Sequence, residues 1–315
     1  MTISITFYTE KMKGEVVNLI CNQYGYEKVK YITFFDLFYS NSFQKKAIMI
    51  VALDGNKVVG FQSFFYWPYS KNGKTYNSYQ SGNSIVDSSY RGKGIFKKLL
   101  HFIDDKNLSI DFMVGFPVED SYKSFIKSNW KNPFNLQWYL KTNCLLSVFF
   151  KPNHKILEQK FETIQKANIN GNSDLIMISD ENDFVSWRKG FYKNQHYYFN
   201  YSNDTNTCQI GFKLNIRKKY LKELIIGQLN GDIDNLPFLE EALLAFLKQI
   251  RKIKFITFVS IAINTTNTKM LSTLEKLKFK KTDKKIYFIL KEMNKKISEA
   301  DFPNWVLLRG DIDTW

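Results

Sequence analysis

The sequence contains no run of about eighteen apolar residues, the length a helix needs to cross a bilayer. Residues 145–150 are apolar but far too few. The opening residues lack the basic and then apolar pattern of a secretory signal, so a cytoplasmic protein with no membrane insertion is expected. Cysteine is scarce. Cys21, Cys144 and Cys208 stand far apart with no Cys-x-x-Cys pair, which argues against a disulfide framework or zinc site and for thiols in a reducing compartment. The three histidines are equally scattered, so no metal is expected. Acid is short too: 30 Asp and Glu stand against 45 Lys and Arg, a formal charge of +15. Such a balance suits nucleic acid, yet the lysines are spread along the chain among Asn and Ile rather than gathered in a patch. Nucleic acid is therefore not the expected partner. The same excess of lysine suits substrates that carry several phosphates.

What is present is material for two cores: of 315 residues, 44% are hydrophobic and 17% aromatic, and the length fits two domains. One stretch stands out. Residues 90–100 read Tyr-Arg-Gly-Lys-Gly-Ile-Phe-Lys-Lys-Leu-Leu, after an alternating strand at 76–86 and before an amphipathic helical pattern. Gly92 and Gly94 allow a tight turn whose N–H groups approach a ligand, and the helix start behind them favours an anion. Arg91, Lys93, Lys97 and Lys98 add formal positive charge. The plainer reading is a basic turn before an ordinary helix.

Taken in order, the chain reads as a strand at 3–6, helices at 11–24 and 31–39, and a strand at 47–53. Asp54-Gly55 turns into a strand at 57–66, and Asn72-Gly73 into one at 75–86. A helix at 95–106, a strand at 110–116 broken by Pro117, a helix at 120–128 and a strand at 136–141 follow. Residues 151–172 read as a mostly helical connection. The pattern then recurs: a helix at 182–192, strands near 196–201, 207–216 and 221–229, a helix at 236–250, a strand at 255–263, a helix at 268–277 and a strand at 286–290. Where the first half carries Arg91-Gly-Lys-Gly, the second carries Asn230-Gly231-Asp232-Ile233-Asp234, and two carboxylates repel a pyrophosphate. The second half should hold no coenzyme of its own.

Arg-Gly-Lys-Gly-Ile after a strand ending Ile85-Val86-Asp87 resembles the pyrophosphate loop of the GNAT acyltransferases, where Arg or Gln is followed by two residues, Gly, one residue, and Gly or Ala. Arg91 and Gly94 match; Phe96 stands where that family has a small residue. The element order is also similar to that family's. The resemblance implies an α/β (α+β) fold of tandem GNAT-like domains, each a mixed, mostly antiparallel sheet flanked by helices. Residues 1–145 would form a domain with the acyl-CoA loop and 146–180 a helical connection. Residues 181–315 would form a second domain without that loop, contributing to the acceptor site. It further implies acyl-coenzyme A as co-substrate, of acetyl or hydroxybutyryl type. Ser84, Ile85 and Val86 would hold its pantetheine arm, and Arg91, Gly92, Lys93, Gly94, Ile95, Phe96 and Lys97 its pyrophosphate.

An amine would attack the thioester directly, with the enzyme supplying approach geometry, a proton sink and donors to the carbonyl oxygen. The family's usual tyrosine acid falls on Phe125, and the preceding asparagine on Val118, so Tyr122 or solvent would serve instead. Glu119 and Asp120 are candidate bases past the strand end; capping of the next helix is the other account of them. His196, in an aromatic strand, would line the acceptor cleft or be a buried structural histidine.

Gly115-Phe116-Pro117, Asn129-Trp130-Lys131, Gln137-Trp138-Tyr139 and the closing Gly-Asp-Ile-Asp resemble two-domain N-acyltransferases that modify nucleotide-linked amino sugars for surface polysaccharide. The resemblance implies a dTDP- or UDP-linked dideoxy amino sugar as acceptor and a monomer or homodimer. Gln80, Asn83, Trp130, Trp187, Arg188, His196, Asp311 and Asp313 would then bind substrate. For Trp130 a place in the core, and for the closing segment docking on its own domain, are the other accounts. Two further function classes fit the sequence: an aminoacyl or peptide transferase of double-GNAT type, and a non-catalytic binding protein on the same scaffold.

Overall fold

A computed structural model of the chain describes residues 2–39, 43, 47–106, 108–171, 173–191 and 195–314. In chain order the elements are β1 Ile3–Phe7, α1 Lys13–Tyr24, α2 Lys28–Tyr39, β2 Ile48–Asp54, β3 Lys57–Tyr66, β4 Tyr69–Lys71, β5 Lys74–Tyr76, β6 Ser78–Val86, α3 Ile95–His101, β7 Phe112–Gly115 and α4 Glu119–Ile126. There follow β8 Asn135–Thr142, α5 His154–Lys160, β9 Met177–Ile178, α6 Asn182–Lys189, β10 His196–Ser202, β11 Thr207–Arg217, β12 Leu221–Gly231, α7 Leu236–Arg251, β13 Phe258–Asn264, α8 Thr268–Lys276, β14 Lys280–Tyr287 and β15 Ile289–Glu292. Asn72 and Gly73 both take positive φ, 50° and 67°, the conformation an Asn-Gly hairpin turn requires.

The chain divides into two compact units. The first comprises Met1–Pro68, Tyr76–Pro133 and Tyr287–Ser298, built on a sheet of order β1-β2-β3-β6-β7-β15. Its pairings are antiparallel except β6 with β7. Ile95, Leu99 and Leu100 of α3 join Ile50, Ala52, Val59 and Phe64 in one buried cluster, each large aliphatic side chain contributing about 1.5–3 kcal/mol. Gly60 permits the close approach: a Cβ there would meet Ala52 and Leu99 at 3.2 Å. Val16, Val17 and Ile20 of α1 are fully buried as well.

The second unit comprises Tyr69–Thr75, Phe134–Ile286 and Glu299–Trp315. Its main sheet has the order β10-β11-β12-β13-β8-β14, with a small sheet β5-β4-β9. Here β12 and β13 are the parallel pair. Phe238, Leu239, Leu243, Phe246 and Ile250 of α7 pack with Phe199, Phe212 and Ile226 in its core, as their helical spacing leads one to expect.

Several expectations change. The strand at 136–141, expected to close the first domain, ladders against β13 from Phe258↔Thr142 to Asn264↔Leu136. Its place beside β7 is taken by β15, which pairs Ile289 with Gly115. The units therefore interleave along the chain, and boundaries at 145 and 180 do not mark them. Local alternation tells that a segment is a strand; its partner is a long-range choice. The helix expected over 95–106 ends at His101 and continues as turns. Among the described residues of the connection at 151–172 only α5 is helical, and Tyr192, the expected end of α6, lies outside the described residues.

Candidate functional site

The basic loop joins β6 to α3. Asp87 starts it, its Oδ1 accepting from Ser89 N at 2.9 Å and Ser89 Oγ at 2.6 Å. Gly92 and Gly94 have φ of 76° and 72°, a region L side chains rarely adopt. A Cβ built on either meets nothing within 4 Å. Backbone conformation favours glycine at both positions, and the space above them is open. Gly94 is the N-cap of α3 and brings no capping side chain, so the first-turn N–H groups face outward for an anion. Arg91 is tied down at both ends, Nε donating to Val86 O at 3.2 Å and Nη2 to Gln23 Oε1 at 2.5 Å. Lys93 donates to Ser89 O at 3.3 Å and lies 4.9 Å over the Tyr90 ring. Phe96 turns its ring onto Phe125, 5.3 Å away edge to face.

Beside this loop two parallel strands part. β6 and β7 pair from Ser78↔Phe112 to Ser81↔Gly115 and no further. Beyond that step β6, carrying Ser84, Ile85 and Val86, is laddered among the described residues to β3 alone, from Ser63↔Gly82 to Gly60↔Val86. A bulge falls at the parting, since Phe61 faces Ile85 while Ser63 faces Gly82, and Asn83 takes φ 49° within it. An asparagine tolerates that conformation and a bulge re-aims its neighbours.

A polar network pins the bulge. Tyr39 and Ser63 share a 2.7 Å hydroxyl bond, Ser63 Oγ donates to Gly82 O at 2.8 Å, and Asn83 Nδ2 donates to Tyr39 at 2.7 Å. Gln62 donates to Ser81 Oγ at 3.0 Å and accepts from Ser84 Oγ at 2.6 Å. Tyr31 donates to Asn83 Oδ1 at 3.5 Å, and burial, then nearby hydroxyls, push its phenol well above the ordinary range. Rings of Tyr24, Tyr26 and Tyr31 stack in sequence at 5.6 and 5.3 Å. Of this group the sequence singles out Asn83 and Ser84; Tyr31, Tyr39, Gln62 and Ser63 come to them through the fold.

At the end of β7, Val118 caps α4, and Glu119 and Asp120 occupy its first turn, both exposed. Asp120 is thus not the N-cap. Tyr287 donates to Glu119 Oε2 at 3.2 Å and stacks on Tyr122 at 4.3 Å. Tyr287 was missed: no local signal joins it to residues so far back in the chain. Phe125 is 3% exposed and packs on Trp130 at 5.2 Å. Trp130 is itself 2% exposed, a core ring with no face for a substrate. Gln80 is buried in the paired half of β6.

The remaining candidates lie in the second unit. Arg188, His196 and Asp311 are buried. Arg188 donates to Gly310 O, and Asp311 Oδ2 accepts from Leu308 N at 2.7 Å. Burial outweighs that bond and the Arg188 charge and pushes the Asp311 carboxyl up to about 7. Burial, then Lys213 and Arg188, pulls the His196 imidazole down to about 3. Burial and Arg309 also lower the Lys213 ammonium, to about 8. Sequence alone brought none of Tyr69, Lys213 or Arg309 to this cluster. Arg188 and Asp311 spend hydrogen bonds on the chain's own backbone, because buried polar groups require internal partners. Trp187 stacks on Phe184 and lies 5.0 Å from the tilted ring of Phe191, and Asp313 is exposed. Trp315 lies outside the described residues.

No protein family's sequence profile matches the chain, and no curated protein matches it. Solved structures do. A GCN5-related N-acetyltransferase from Anabaena variabilis is similar over 93% of this chain and 73% of its own, with a TM-score of 0.62 and 12% identity. One from Kribbella flavida is similar over 92% and 71%, with a TM-score of 0.57 and 10% identity. The chain has the GNAT fold, a mixed α/β architecture in two units. No helix among the described residues is long and apolar enough to cross a membrane.

Proposed function

We propose that the protein is an N-acyltransferase that moves an acyl group from acyl-coenzyme A to the amine of a nucleotide-linked amino sugar. The observation that carries the reading is the pairing of an open, positively charged glycine loop with a parted strand edge in one sheet. The coenzyme fits these residues: the space over Gly92 and Gly94 is open to a pyrophosphate, and the edge at 84–86 offers backbone donors and acceptors to an amide-bearing arm. When bound, it supplies an activated thioester.

The chain's own residues do the rest. Arg91, Lys93 and Lys97 neutralise phosphate charge, with Ile95 and Phe96 amides completing the cradle. Asn83 and its network hold the bulged edge in one conformation. Glu119, with Asp120 as the other candidate, accepts the proton that the amine loses as the C–N bond forms. Tyr287 gives its proton to the sulfur as the C–S bond breaks and is reprotonated through the bond to Glu119; stacked Tyr122 holds the ring. General acid–base roles of this kind contribute about 10²–10⁴ in rate.

The acceptor class rests on the likeness of Gly115-Phe116-Pro117, Asn129-Trp130-Lys131 and Gln137-Trp138-Tyr139 to dTDP-3-amino-3,6-dideoxyhexose N-acyltransferases. The charge of +15 suits two phosphate-bearing substrates. The test is a coupled free-thiol assay with acetyl-coenzyme A against dTDP- and UDP-amino sugars, free lysine and peptides. Thiol release that requires one nucleotide sugar is the expected result. Release with lysine or a peptide alone would replace the acceptor class, and no coenzyme binding would leave a non-catalytic scaffold.

A further inference from the structure

The second unit repeats the parting of strands and fills it. β12 and β13 run parallel through four register pairs, Glu223↔Phe258 to Ile226↔Ile261, and stop, as β6 and β7 do after Ser81↔Gly115. A bulge again falls just past the last pair: Phe212 faces Ile226 and Gly211 faces Gln228, leaving Gly227 unmatched. Into this gap runs the segment 305–311. On the β13 side Leu308 bridges Ile263 in antiparallel sense. Asn264 N donates to Leu307 O at 3.2 Å, and Asn264 Oδ1 accepts from Leu307 N at 3.0 Å. On the β12 side Gly310 lies so near Gly227 that a Cβ would fall 2.1 Å from Gly227 O. Leu307, Leu308 and Gly310 are buried. Arg188, by its bond to Gly310 O, and Asp311, by its bond to Leu308 N, fix the segment's turn.

The loop that follows is shut as well. Asp232 and Thr207 exchange two bonds, N to O at 2.8 Å and Thr207 N to Oδ2 at 2.7 Å. A Cβ on Gly231 would strike Thr207 O at 2.2 Å, whereas the space over Gly92 and Gly94 is empty.

We propose that residues 307–311 are the resident ligand of the second cleft, an extended backbone lying where an acyl-carrying arm would lie in a sheet of this topology. The segment excludes a donor from this unit, so the molecule has one donor site. Occlusion acts in addition to the acid repulsion at Asp232 and Asp234. The inference shares with the proposed function the assignment of the first cleft to the donor, and its test separates the two.

Pantetheine is the probe, since without a pyrophosphate it is indifferent to those acids; it is titrated calorimetrically into the full chain. The wild type is expected to bind one molecule. Gly310→Val, whose side chain cannot share space with Gly227 O, is expected to bind two. Hydrogen exchange at 305–311 is expected to quicken by at least about 100-fold in that variant, with residues 82–86 unchanged. A released segment without a second site overturns the proposal. So does a segment that exchanges freely in the wild type. No binding to the wild type but one site in Gly310→Val sinks the donor assignment of the first unit and upholds the plug. Should Gly310→Val not fold, Asn264→Ala, which cuts the tie to β13, undergoes the same two measurements.

Discussion

Tyr287 stacks on Tyr122 with ring centroids 4.3 Å apart and donates its hydroxyl to Glu119 at 3.2 Å. Tyr287 thereby meets residues some 168 positions back in the sequence at the end of β7, where β15 pairs Ile289 with Gly115. If they move the protons of the transfer, Tyr287→Phe lowers kcat by about 10- to 100-fold and leaves the KM for acyl-coenzyme A near its wild-type value. Steady-state kinetics with both substrates checks this. An unchanged kcat removes Tyr287 from the chemistry, and the pair Glu119→Gln and Asp120→Asn tells which carboxylate is the base.

The loop makes a sharper prediction. Gly94 takes φ 72° with nothing above it, and aspartate tolerates that conformation better than most side chains. Gly94→Asp should therefore fold, with an unchanged circular dichroism spectrum, while its carboxylate meets the pyrophosphate. Coenzyme affinity should drop by about 100-fold or more. Normal affinity would show that the anion binds elsewhere.

The bulge network predicts a cost in stability. Tyr39→Phe removes the hydroxyl shared by Ser63 and Asn83 in a buried setting. Urea unfolding should show a loss of about 1–3 kcal/mol, since partners are left unsatisfied.

Two buried groups of the second unit give opposing pH dependences. Asp311 is raised to about 7 from 3.8 by burial; its contribution is full below its unfolded value and is lost as pH rises through 7. His196 is lowered to about 3 from 6.5; its contribution is full above its unfolded value and is lost as pH falls through 3. Between about pH 4 and 6.5 the two largely cancel in the wild type. Asp311→Asn should leave stability that rises with pH across this window, and His196→Gln stability that falls. Denaturant midpoints at three pH values decide it, and parallel slopes in the two variants would refute the assignment.

Sequence alone determined what depends on neighbours along the chain. The glycine loop between strand and helix, the Asn72-Gly73 turn and the apolar face of α7 are all encoded within a few residues of where they act, by φ preference and periodicity. The resemblance carried by Arg91 and Gly94 pointed to the architecture that the solved structures share. Tertiary structure decided what depends on pairing across the chain. That β8 joins the second sheet and β15 the first could not be read locally, because alternation specifies a strand and not its partner. For the same reason Tyr287 came to Glu119, Tyr39 to Asn83 and residues 307–311 to the gap beside Gly227: these contacts arise only when the tertiary fold brings distant segments together, and in the two buried cases polar groups must find partners out of water.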